Sequence, residues 1–241
     1  MFHPKGPTLL ELTKQALSST TKGYDLLAEK FEYTPFRTPD ILLEPLVAVA
    51  QREPIGTALD LCCGNGAIAR AIRPIVTERI VGLDLSEGML VDARARLRET
   101  PGECPVDFVQ GDAFELVDVD VYDLIATAGA FGHILEHQQH DFVQRVYRAL
   151  KPGGRFVFLT SLKPPKSNPA WWMARGFNAV MHVRNAVLDP PFIMFYLTFP
   201  LERACDVLWK EGFDVTVDAP FDEPRMELFR VVTATKPTSE N

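Results

Sequence analysis

The 241-residue sequence has neither a long apolar run nor a long basic run. No stretch approaches the roughly 18 uninterrupted apolar residues that mark a membrane-spanning helix, and the first residues lack the apolar segment of a signal peptide. Lys and Arg number 25 against 32 Asp and Glu, which gives a net charge of −7. The sequence contains no run of Lys and Arg long enough to form a phosphate-binding patch. These absences argue against a secreted, membrane-spanning or nucleic-acid-binding protein.

Cysteine is also scarce, with residues only at positions 62, 63, 104 and 205. Their spacing does not match a metal site, and two adjacent cysteines do not readily pair with each other. Reduced thiols are typical of the cytoplasm, where disulfides rarely persist. We therefore expect a cytoplasmic protein that binds no metal.

What is present is the composition of an ordinary globular protein, with 46% hydrophobic residues, 24% charged residues and a mean hydropathy of −0.01. A chain of this length and composition predicts one domain with a substantial core.

From residue 57 onward, short apolar runs alternate with longer helical patterns. The apolar runs are Ala58–Leu61, Ile80–Leu83, Asp107–Gln110, Tyr122–Thr127 and Arg155–Thr160. The helical patterns are Ala67–Arg73, Glu87–Arg98 and Gln138–Leu150, preceded by Thr8–Phe31 and Ile41–Gln51. Such alternation predicts a parallel sheet with helices on both faces, and Lys151–Gly154 predicts a turn that ends a helix and starts a strand.

The end of the chain has a different pattern. Phe213–Val217 and Leu228–Ala234 are strand-like runs with no helix between them, which predicts an antiparallel hairpin. The predicted fold class is α/β, a doubly wound, seven-stranded, mostly parallel sheet with an antiparallel C-terminal hairpin and a helical cap insert. Within one domain we expect N-terminal helices at 1–52, a ligand-binding core at 53–161, the insert at 162–200 and a last helix with the hairpin at 201–236.

A tight glycine turn follows the first predicted strand and opens a helix. Gly64 and Gly66 allow the backbone to approach a ligand closely, and the helix N-terminus offers unpaired N–H donors. Asp84 ends the next strand about 20 residues further on, where an acid can accept from both hydroxyls of a ribose. The turn and the acid together indicate a nucleotide-like ligand.

Three acids, Asp60, Asp84 and Asp112, are expected at the carboxyl ends of three strands, where open α/β sheets bind ligands. A nicotinamide-binding fold accounts for Asp84 only. Three acids suit a ligand with a ribose, an adenine amine and a cationic amino-acid portion. The alternative is that each Asp simply caps a helix or a turn.

Five segments in this order resemble a class I S-adenosylmethionine-dependent methyltransferase of the small-molecule kind, loosely similar to the ubiquinone-biosynthesis and glycine N-methyltransferase groups. They are Leu59–Gly66, Gly82–Leu90, Gln110–Ala113, Tyr122–Ile125 and Leu150–Gly154, within a match from about Tyr24 to Lys236. The resemblance implies a Rossmann-like methyltransferase fold that uses S-adenosylmethionine, releases S-adenosylhomocysteine and needs no metal. The main departure is the doubled Cys62-Cys63, where small residues or glycine are common.

The resemblance also implies roles for individual residues. Asp84 would accept from the ribose hydroxyls, Asp112 from the adenine amine, and Asp60 would contact the amino-acid end of the cofactor. Arg37 would pair with the cofactor carboxylate. The full set of expected cofactor contacts is Arg37, Asp60, Cys62, Gly64, Asn65, Gly66, Asp84, Leu85, Met89, Asp112, Ala113, Thr127 and Ala128.

Methyl transfer depends mainly on alignment, and a base helps when the acceptor is a protonated hydroxyl, amine or carbon acid. His133, just past the fourth predicted strand, is the best candidate for a catalytic base by position, with a structural histidine as the alternative. Tyr24 resembles an N-terminal aromatic residue that lies near the methyl group in relatives, and we expect it to take part in catalysis.

The insert Leu162–Phe199 carries seven of the chain's aromatic residues, a density that suggests a lid over a flat or apolar acceptor. The expected acceptor contacts are Phe131, Trp171, Trp172, Phe195 and Tyr196. A helical cap with its own minor core, a dimer contact and a membrane-surface contact are alternatives. An acidic acceptor is also open, because Arg175, Asn178, His182 and Arg184 add polar groups.

The sequence therefore predicts a methyltransferase that acts on a small, apolar or aromatic acceptor, without nucleic acid as a partner. The motif at residues 189–192 resembles the base-holding motif of amino-methylating DNA enzymes, but it falls one strand too late. The rival functions are a nicotinamide-dependent oxidoreductase and a non-catalytic S-adenosylmethionine-binding protein. The acceptor atom is open, and so is the oligomeric state, with a homodimer among the alternatives.

Overall fold

The computed structural model describes residues 3–34, 37–221 and 223–238. The strands within these residues are β1 (Ile55–Leu61), β2 (Val76–Asp84), β3 (Val106–Gln110), β4 (Tyr122–Thr127), β5 (Leu150–Ser161), β6 (Asp214–Asp218) and β7 (Phe229–Thr235). The α-helices are α1 (Leu9–Ala16), α2 (Thr20–Leu27), α3 (Asp40–Ala50), α4 (Ala67–Ile72), α5 (Glu87–Arg98), α6 (Gln139–Ala149), α7 (Pro169–Val187) and α8 (Leu201–Glu211).

The seven strands form one sheet in the order β3-β2-β1-β4-β5-β7-β6. The pairs from β3 to β5 are parallel, and β7 is antiparallel to both β5 and β6. The predicted fold class, including the antiparallel C-terminal hairpin, is confirmed. Because parallel strands end at a common edge, the carboxyl ends of β1 to β4 meet along one side of the sheet.

Hydrophobic cores lie on both faces of the sheet. On one face, Leu46 of α3, Ile72 of α4 and Leu90 of α5 are fully buried in one cluster. On the other face, the cluster includes Phe142 of α6 and Leu208 of α8. The result is the three-layer arrangement in which helices cover both faces of a mostly parallel sheet.

The N-terminal helical stretch differs from the sequence prediction. Instead of one helical region from Thr8 to Phe31, α1 ends before Leu17, α2 starts anew at Thr20, and a 3₁₀ helix spans Ala28–Tyr33. The break occurs at Ser19, whose side chain accepts from the Lys22 backbone N–H and caps α2. A serine side chain can bond to nearby backbone groups in place of helical backbone partners. Serine is therefore more favourable at the N-cap of a helix than in its interior.

The start of β5 also differs from the prediction. The sequence predicts a turn at Lys151–Gly154, yet β5 begins at Leu150, which pairs with Tyr122 of β4. The backbone of Gly153 and Gly154 pairs with that of Lys236, so both sides of this segment are hydrogen-bonded. A Cβ on Gly154 would lie 2.8 Å from the carbonyl oxygens of Lys151 and Tyr122, and glycine permits that close approach.

The predicted helical insert contains α7, whose N-terminus is capped by Asn168. The chain that follows it is irregular and is fastened to the 3₁₀ helix Ala130–His133. Phe195 N–H donates to the Gly132 carbonyl at 2.8 Å, and Thr198 Oγ1 donates to the Phe131 carbonyl at 2.9 Å. Across the described residues, no helix has both the length and the apolar character needed to cross a bilayer.

Candidate cofactor and acceptor site

A cavity of about 640 Å³ lies at the carboxyl ends of the parallel strands. Its walls include the ends of β1 and β2, the segments after β3 and β4, and parts of α2 and α3. Ligand pockets typically span roughly 300–1,000 Å³, so the cavity has room for a nucleoside-sized ligand and part of a second molecule. Eleven of the thirteen predicted cofactor contacts line it.

The glycine turn between β1 and α4 is built from left-handed backbone conformations. The φ angles of Cys62, Gly64 and Gly66 are 57°, 51° and 72°. Glycine adopts such angles freely, whereas cysteine is strained there. A Cβ on Gly64 would lie 3.2 Å from Cε of Met89, so the turn passes closely over that side chain.

Gly66 is one of the two predicted contacts that do not line the cavity. A Cβ at this position would lie 2.7 Å from the ring of Phe108. The glycine is therefore required by packing between the start of α4 and the core. Gly64 lines the cavity, and direct contact of Gly66 with the cofactor stays a prediction.

Asp84 joins the glycine turn to the end of β2. Its Oδ2 accepts from Gly64 N–H at 2.8 Å, and its Oδ1 accepts from Ser86 N–H at 2.9 Å. Burial raises the pKa of this carboxyl group, although the backbone N–H donors oppose the effect. Leu85, the next residue, is 47% exposed and lines the same cavity, as expected for a residue beside a ligand.

Asp60 is buried at the end of β1. Its Oδ2 accepts from Ala69 N–H at 2.8 Å, so the carboxylate satisfies a free backbone donor in the first turn of α4. Burial raises the pKa of Asp60 to about 7, and the nearby charge of Asp84 acts in the same direction. A cation placed in the cavity would favour the ionised form.

Asp112 follows β3 and caps the short 3₁₀ helix Ala113–Glu115 by accepting from Phe114 N–H at 2.8 Å. Capping, the alternative weighed for the three acids, is thus what Asp60, Asp84 and Asp112 all do. All three also line one cavity. The two roles are compatible, since the backbone donors that fix the carboxylates leave acidic oxygens at the cavity wall.

Thr127 is the other predicted contact outside the cavity lining. It is buried, and its Oγ1 donates to the Leu61 carbonyl at 2.6 Å, which ties the end of β4 to the end of β1. Ala128 does line the cavity, and so does Gly129. Gly129 has a φ of 82°, and a Cβ there would meet nothing within 4 Å, so this stretch leaves open space beside the strand ends.

Arg37 lines the cavity, but its charge is already paired. Nη1 donates to Glu32 at 2.9 Å and Nη2 donates to Asp40 at 3.0 Å. Glu32 also accepts from Asn65 Nδ2 at 2.6 Å and lies 4.0 Å from Arg70. Sequence reasoning missed Glu32 and Arg70, because no motif marks them and only the fold brings them beside the glycine turn.

Tyr24 and His133, 109 residues apart, form a hydrogen-bonded pair in the cavity wall. The Tyr24 hydroxyl lies 2.9 Å from His133 Nε2, and His133 Nδ1 lies 2.6 Å from the Ile193 carbonyl. A carbonyl only accepts, so Nδ1 carries the proton and Nε2 accepts from Tyr24. Burial lowers the pKa of His133 and raises that of Tyr24, so both groups are neutral near pH 7.

The five aromatic residues predicted to contact an acceptor do not line the cavity. Phe131 stacks on Phe199 in the core with ring centroids 3.9 Å apart. Phe195 stacks on His182 and is buried, while Trp171 and Trp172 pack edge-on against each other on α7. Tyr196 lies edge-on to Phe177 and is 42% exposed.

The apolar wall of the cavity comes from other residues. They are contributed by the N-terminal helices, α6 and the segment after β4, and they include Phe31, Leu43, Val47, Ile134 and Phe142. The only sequence signal for them was apolar periodicity, which does not separate a core contact from a cavity contact. In the described part of the chain, no group of three or more His, Cys, Asp or Glu residues could hold a metal ion.

Residues 58–154 match a family profile described as a methyltransferase domain. The match covers 97 of the chain's 241 residues. The sheet order and the glycine turn between the acidic strand ends agree with it, and together they indicate the fold of class I S-adenosylmethionine-dependent methyltransferases. S-adenosylmethionine is the cofactor of such methyltransferases.

Similar proteins carry methyltransferase names. The chain is 33% identical over 131 residues to a demethylmenaquinone methyltransferase of Desulfitobacterium hafniense, covering 53% of this chain and 51% of the relative. It is 31% identical over 114 residues to a 2-phytyl-1,4-naphtoquinone methyltransferase of Synechococcus elongatus, covering 46% of this chain and 48% of the relative. The chain thus spans about half the length of the curated relatives it matches.

Solved structures share the fold at low sequence identity. One is a Haemonchus contortus phosphoethanolamine N-methyltransferase 2 in complex with S-adenosylmethionine, with a TM-score of 0.59 and 20% identity over 81% of this chain and 53% of that chain. Another is a Haloferax volcanii methyltransferase complex with the Trm112 activator, with a TM-score of 0.64 and 20% identity over 92% of this chain and 100% of that chain.

Proposed function

We propose that this protein transfers a methyl group from S-adenosylmethionine to a small, apolar or aromatic acceptor. The observation that carries the proposal is that one cavity contains both the three acidic strand ends and the Tyr24–His133 pair. A cofactor site and a base candidate therefore face the same cavity, which is what a two-substrate transfer requires.

The cavity wall fits the cofactor chemically. Bound there, S-adenosylmethionine supplies a methyl group activated by its positive sulfur. Asp84 and Asp112 present carboxylate oxygens at neighbouring strand ends, suited to ribose hydroxyls and an exocyclic amine. Asp60 supplies negative charge near the glycine turn, where it favours a cationic amino-acid portion. Met89 and Leu85 provide apolar surface for a flat base.

Arg70 joins Arg37 as a candidate partner for the cofactor carboxylate. Arg37 is shared between Glu32 and Asp40, whereas Arg70 lies at the longer distance of 4.0 Å from Glu32. Burial lowers the pKa of Arg70. An anion bound beside Arg70 would therefore stabilise its charged form.

The acceptor class follows from the apolar wall and from the relatives. Phe31, Leu43, Val47, Ile134 and Phe142 contribute apolar surface to the cavity wall. Relatives named demethylmenaquinone and 2-phytyl-1,4-naphtoquinone methyltransferase support an acceptor with a quinone-type ring. We therefore place a quinone-type compound first among acceptors.

His133 is the proposed base. Its Nδ1–H is committed to the Ile193 carbonyl, so the Nε2 lone pair is directed to the Tyr24 side. An acceptor hydroxyl or carbon acid that replaces the Tyr24 hydroxyl at Nε2 would lose its proton to His133 as it bonds to the methyl carbon, while the bond from that carbon to sulfur would break and release S-adenosylhomocysteine. Tyr24 would hold the imidazole in position before the acceptor enters.

The test is incubation of the purified protein with S-adenosylmethionine labelled in the methyl group and a panel of reduced quinones, phenols and amines. The proposal predicts label transfer to at least one aromatic acceptor, in equal amount to the S-adenosylhomocysteine formed. Binding of the cofactor with no transfer to any member would favour the rival non-catalytic binding protein. The nicotinamide rival is disfavoured by the antiparallel β7 and by Asp60 and Asp112, which it leaves without a ligand role.

Further parts of the proposal concern organisation. Residues 1–52 and 162–200 would cover the core at 53–161, and residues 201–236 would complete the sheet, all as one domain. A cytoplasmic location is supported by four cysteines that are all free thiols. The homodimer stays a prediction.

A further inference from the structure

Helix α7 has an outward face that is apolar and exposed. Its members, which we call the outer α7 face, are Trp172 at 62%, Met173 at 73%, Val180 at 66%, Val183 at 66% and Val187 at 76% exposure. Scattered exposed apolar side chains need no explanation, but five of them on one helix do.

These five residues lie on one side of the helix. At 3.6 residues per turn they fall within an arc of roughly 100°. Met181 and Phe177 project from the other side, where they pack with the buried Phe192 and Phe195. Arg184 borders the outer α7 face on one side and Arg175 on the other. The helix is thus amphipathic, with its larger apolar stripe turned to solvent and a cation at each margin.

The charge of this region is opposite to that of the chain as a whole. Residues 161–200 contain four Lys and Arg residues and one acid, Asp189, in a protein of net charge −7. Lys166 and Arg175 lie 5.9 and 5.7 Å from the Trp171 ring centroid, so two of the four cations cluster at one end of α7. No acidic residue occurs within α7 itself.

The C-terminal end of helix α1 is hydrogen-bonded to α7. Arg184 of α7 donates to the carbonyl oxygens of Ala16 and Ser18 at 2.9 and 2.8 Å. On α1 and just after it, Leu9, Leu10 and Leu17 are 71%, 65% and 57% exposed. Two neighbouring elements therefore present large apolar side chains to solvent.

We propose that the outer α7 face, together with the exposed leucines of α1, docks on an anionic lipid bilayer. The helix would lie in the plane of the interface, with its valines in the acyl boundary and Lys166 and Arg175 at the headgroups. Charge selects this occupant. A second copy on the same face would bring like charges together, whereas anionic headgroups are complementary to them.

The docking surface adjoins the candidate site through the chain that follows α7. Ile193 accepts at its carbonyl from His133, and its N–H donates to Thr20 Oγ1 at 2.7 Å beside Tyr24 on α2. The segment that follows α7 thus connects the docking surface to the wall of the cavity. The proposal rests on α7 and α1 alone and holds whatever the acceptor is.

The test is co-sedimentation with vesicles of phosphatidylcholine alone or with about 30% phosphatidylglycerol. The proposal predicts at least about tenfold tighter binding to the anionic vesicles, weakened by salt, and an at least tenfold loss in a Val180→Glu, Val183→Glu double variant. The matched control is Val117→Glu, Val119→Glu, at residues 79% and 56% exposed in the β3–β4 connection, which keeps wild-type binding. Equal loss in both variants, or no binding by the wild type, would overturn the proposal.

Two further measurements distinguish a lipid bilayer from a second copy of the chain on the outer α7 face. Quenching of tryptophan fluorescence by brominated lipid is predicted to fall in Trp172→Phe and to persist in Trp209→Phe, since Trp209 is 59% exposed on α8. Loss of quenching in the second variant alone would place the bilayer elsewhere. A lipid-free wild-type dimer that the Val180→Glu, Val183→Glu variant dissociates would show that a second copy covers the face, and would contradict the proposal.

Discussion

The acidic edge of the sheet and the aromatic insert were both predicted to contact ligands, and they differ in outcome. At the edge, Asp60, Asp84 and Asp112 all line the cavity. In the insert, Phe195 is buried, Trp172 is exposed, and neither reaches the cavity. The position of these acids at strand ends places them in the cavity wall, although Thr127 at the end of β4 is turned to the Leu61 carbonyl, whereas aromatic density in the insert does not predict which side chains reach the cavity.

The physical reason is the nature of the constraint. A residue at the end of a parallel strand is held by backbone pairing to its neighbours, and here Gly111 N–H donates to the Asp84 carbonyl and Cys63 N–H to that of Leu83. An aromatic side chain on a helix or an irregular segment is held only by packing, and it can satisfy packing in a core, in a cavity or at an interface. Burial of Phe131 against Phe199 is one such solution.

The largest expected effect is at His133, the proposed catalytic base that follows β4. If another residue is the base, the contrast between the strand ends and the insert no longer holds for catalysis. We expect His133→Gln to lower kcat by about 10²- to 10⁴-fold, because the variant lacks the Nε2 base, while cofactor affinity stays near the wild-type value. His137→Gln, a change at an exposed histidine, is the matched control. Steady-state kinetics and calorimetry check the two quantities, and a kcat within threefold of wild type would exclude His133 as the base.

The same residue predicts a pH profile. Burial lowers the pKa of His133 below its ordinary 6.5, so the imidazole is already neutral at higher pH. The rate constant kcat should therefore rise with pH below 6.5 and level off above it. The stability contribution has the same sign, because the unfolded state binds the proton more readily and stability falls as the pH drops below 6.5.

Phe131 tests whether an aromatic residue predicted to contact the acceptor instead stabilises the hydrophobic core. We expect Phe131→Ala to destabilise the protein by about 3–5 kcal/mol, because it leaves a void beside Phe199 and Phe142. Trp172→Ala, at an exposed site, should change stability by less than about 0.5 kcal/mol. Denaturant unfolding measures both, and Phe131→Leu serves if the alanine variant does not fold. If Phe131→Ala instead raises the KM for the acceptor without lowering stability, Phe131 contacts the acceptor.

Asp60 separates the structural role of an acid from its ligand role. Burial raises its pKa to about 7, so cofactor binding at pH 6 should be about tenfold weaker than at pH 8 and should release a proton. Asp60→Asn is expected to remove this dependence, and Asp107→Asn, at an exposed acid of β3, to retain it. Calorimetry in two buffers of different ionisation enthalpy measures the proton release.

The sign for stability follows from the same shift. Between the ordinary pKa of 3.8 and about 7, the folded protein without ligand binds a proton at Asp60 that the unfolded chain does not. The contribution of Asp60 to the free energy of unfolding therefore falls as the pH rises through this window. If cofactor affinity shows no dependence on pH in the wild type, Asp60 acts as a helix cap alone.

The smallest expected effect is at Cys62. Its φ of 57° is costly for cysteine, so Cys62→Gly should raise the free energy of unfolding by about 0.5–1 kcal/mol. Cys62→Ala keeps the Cβ and should bring no such gain. Thermal unfolding distinguishes the two, and an equal change in both would mean that the backbone strain is not what matters at this position.

The sequence predicted much of the fold because hydrophobic runs ended by acids mark strand ends. The predicted α5, from Glu87 to Arg98, agrees with the structure at both ends, since Ser86 caps it and apolar positions face the core. The pairing of Tyr24 with His133 could not be predicted, because it depends on how α2 packs over the sheet. The contact of Glu32 with Asn65 depends on the same packing.

Calorimetric titration of the wild type and Asp84→Ala with S-adenosylmethionine, S-adenosylhomocysteine and NADH decides whether the acidic strand ends bind this cofactor. We expect micromolar binding of both sulfur ligands, a loss of about 100-fold or more in Asp84→Ala, and no binding of NADH. Asp107→Ala, the same change at an exposed acid on the neighbouring strand, should bind as the wild type does. Preference for NADH, or unchanged binding in Asp84→Ala, would contradict the assignment of the acidic strand ends to this cofactor.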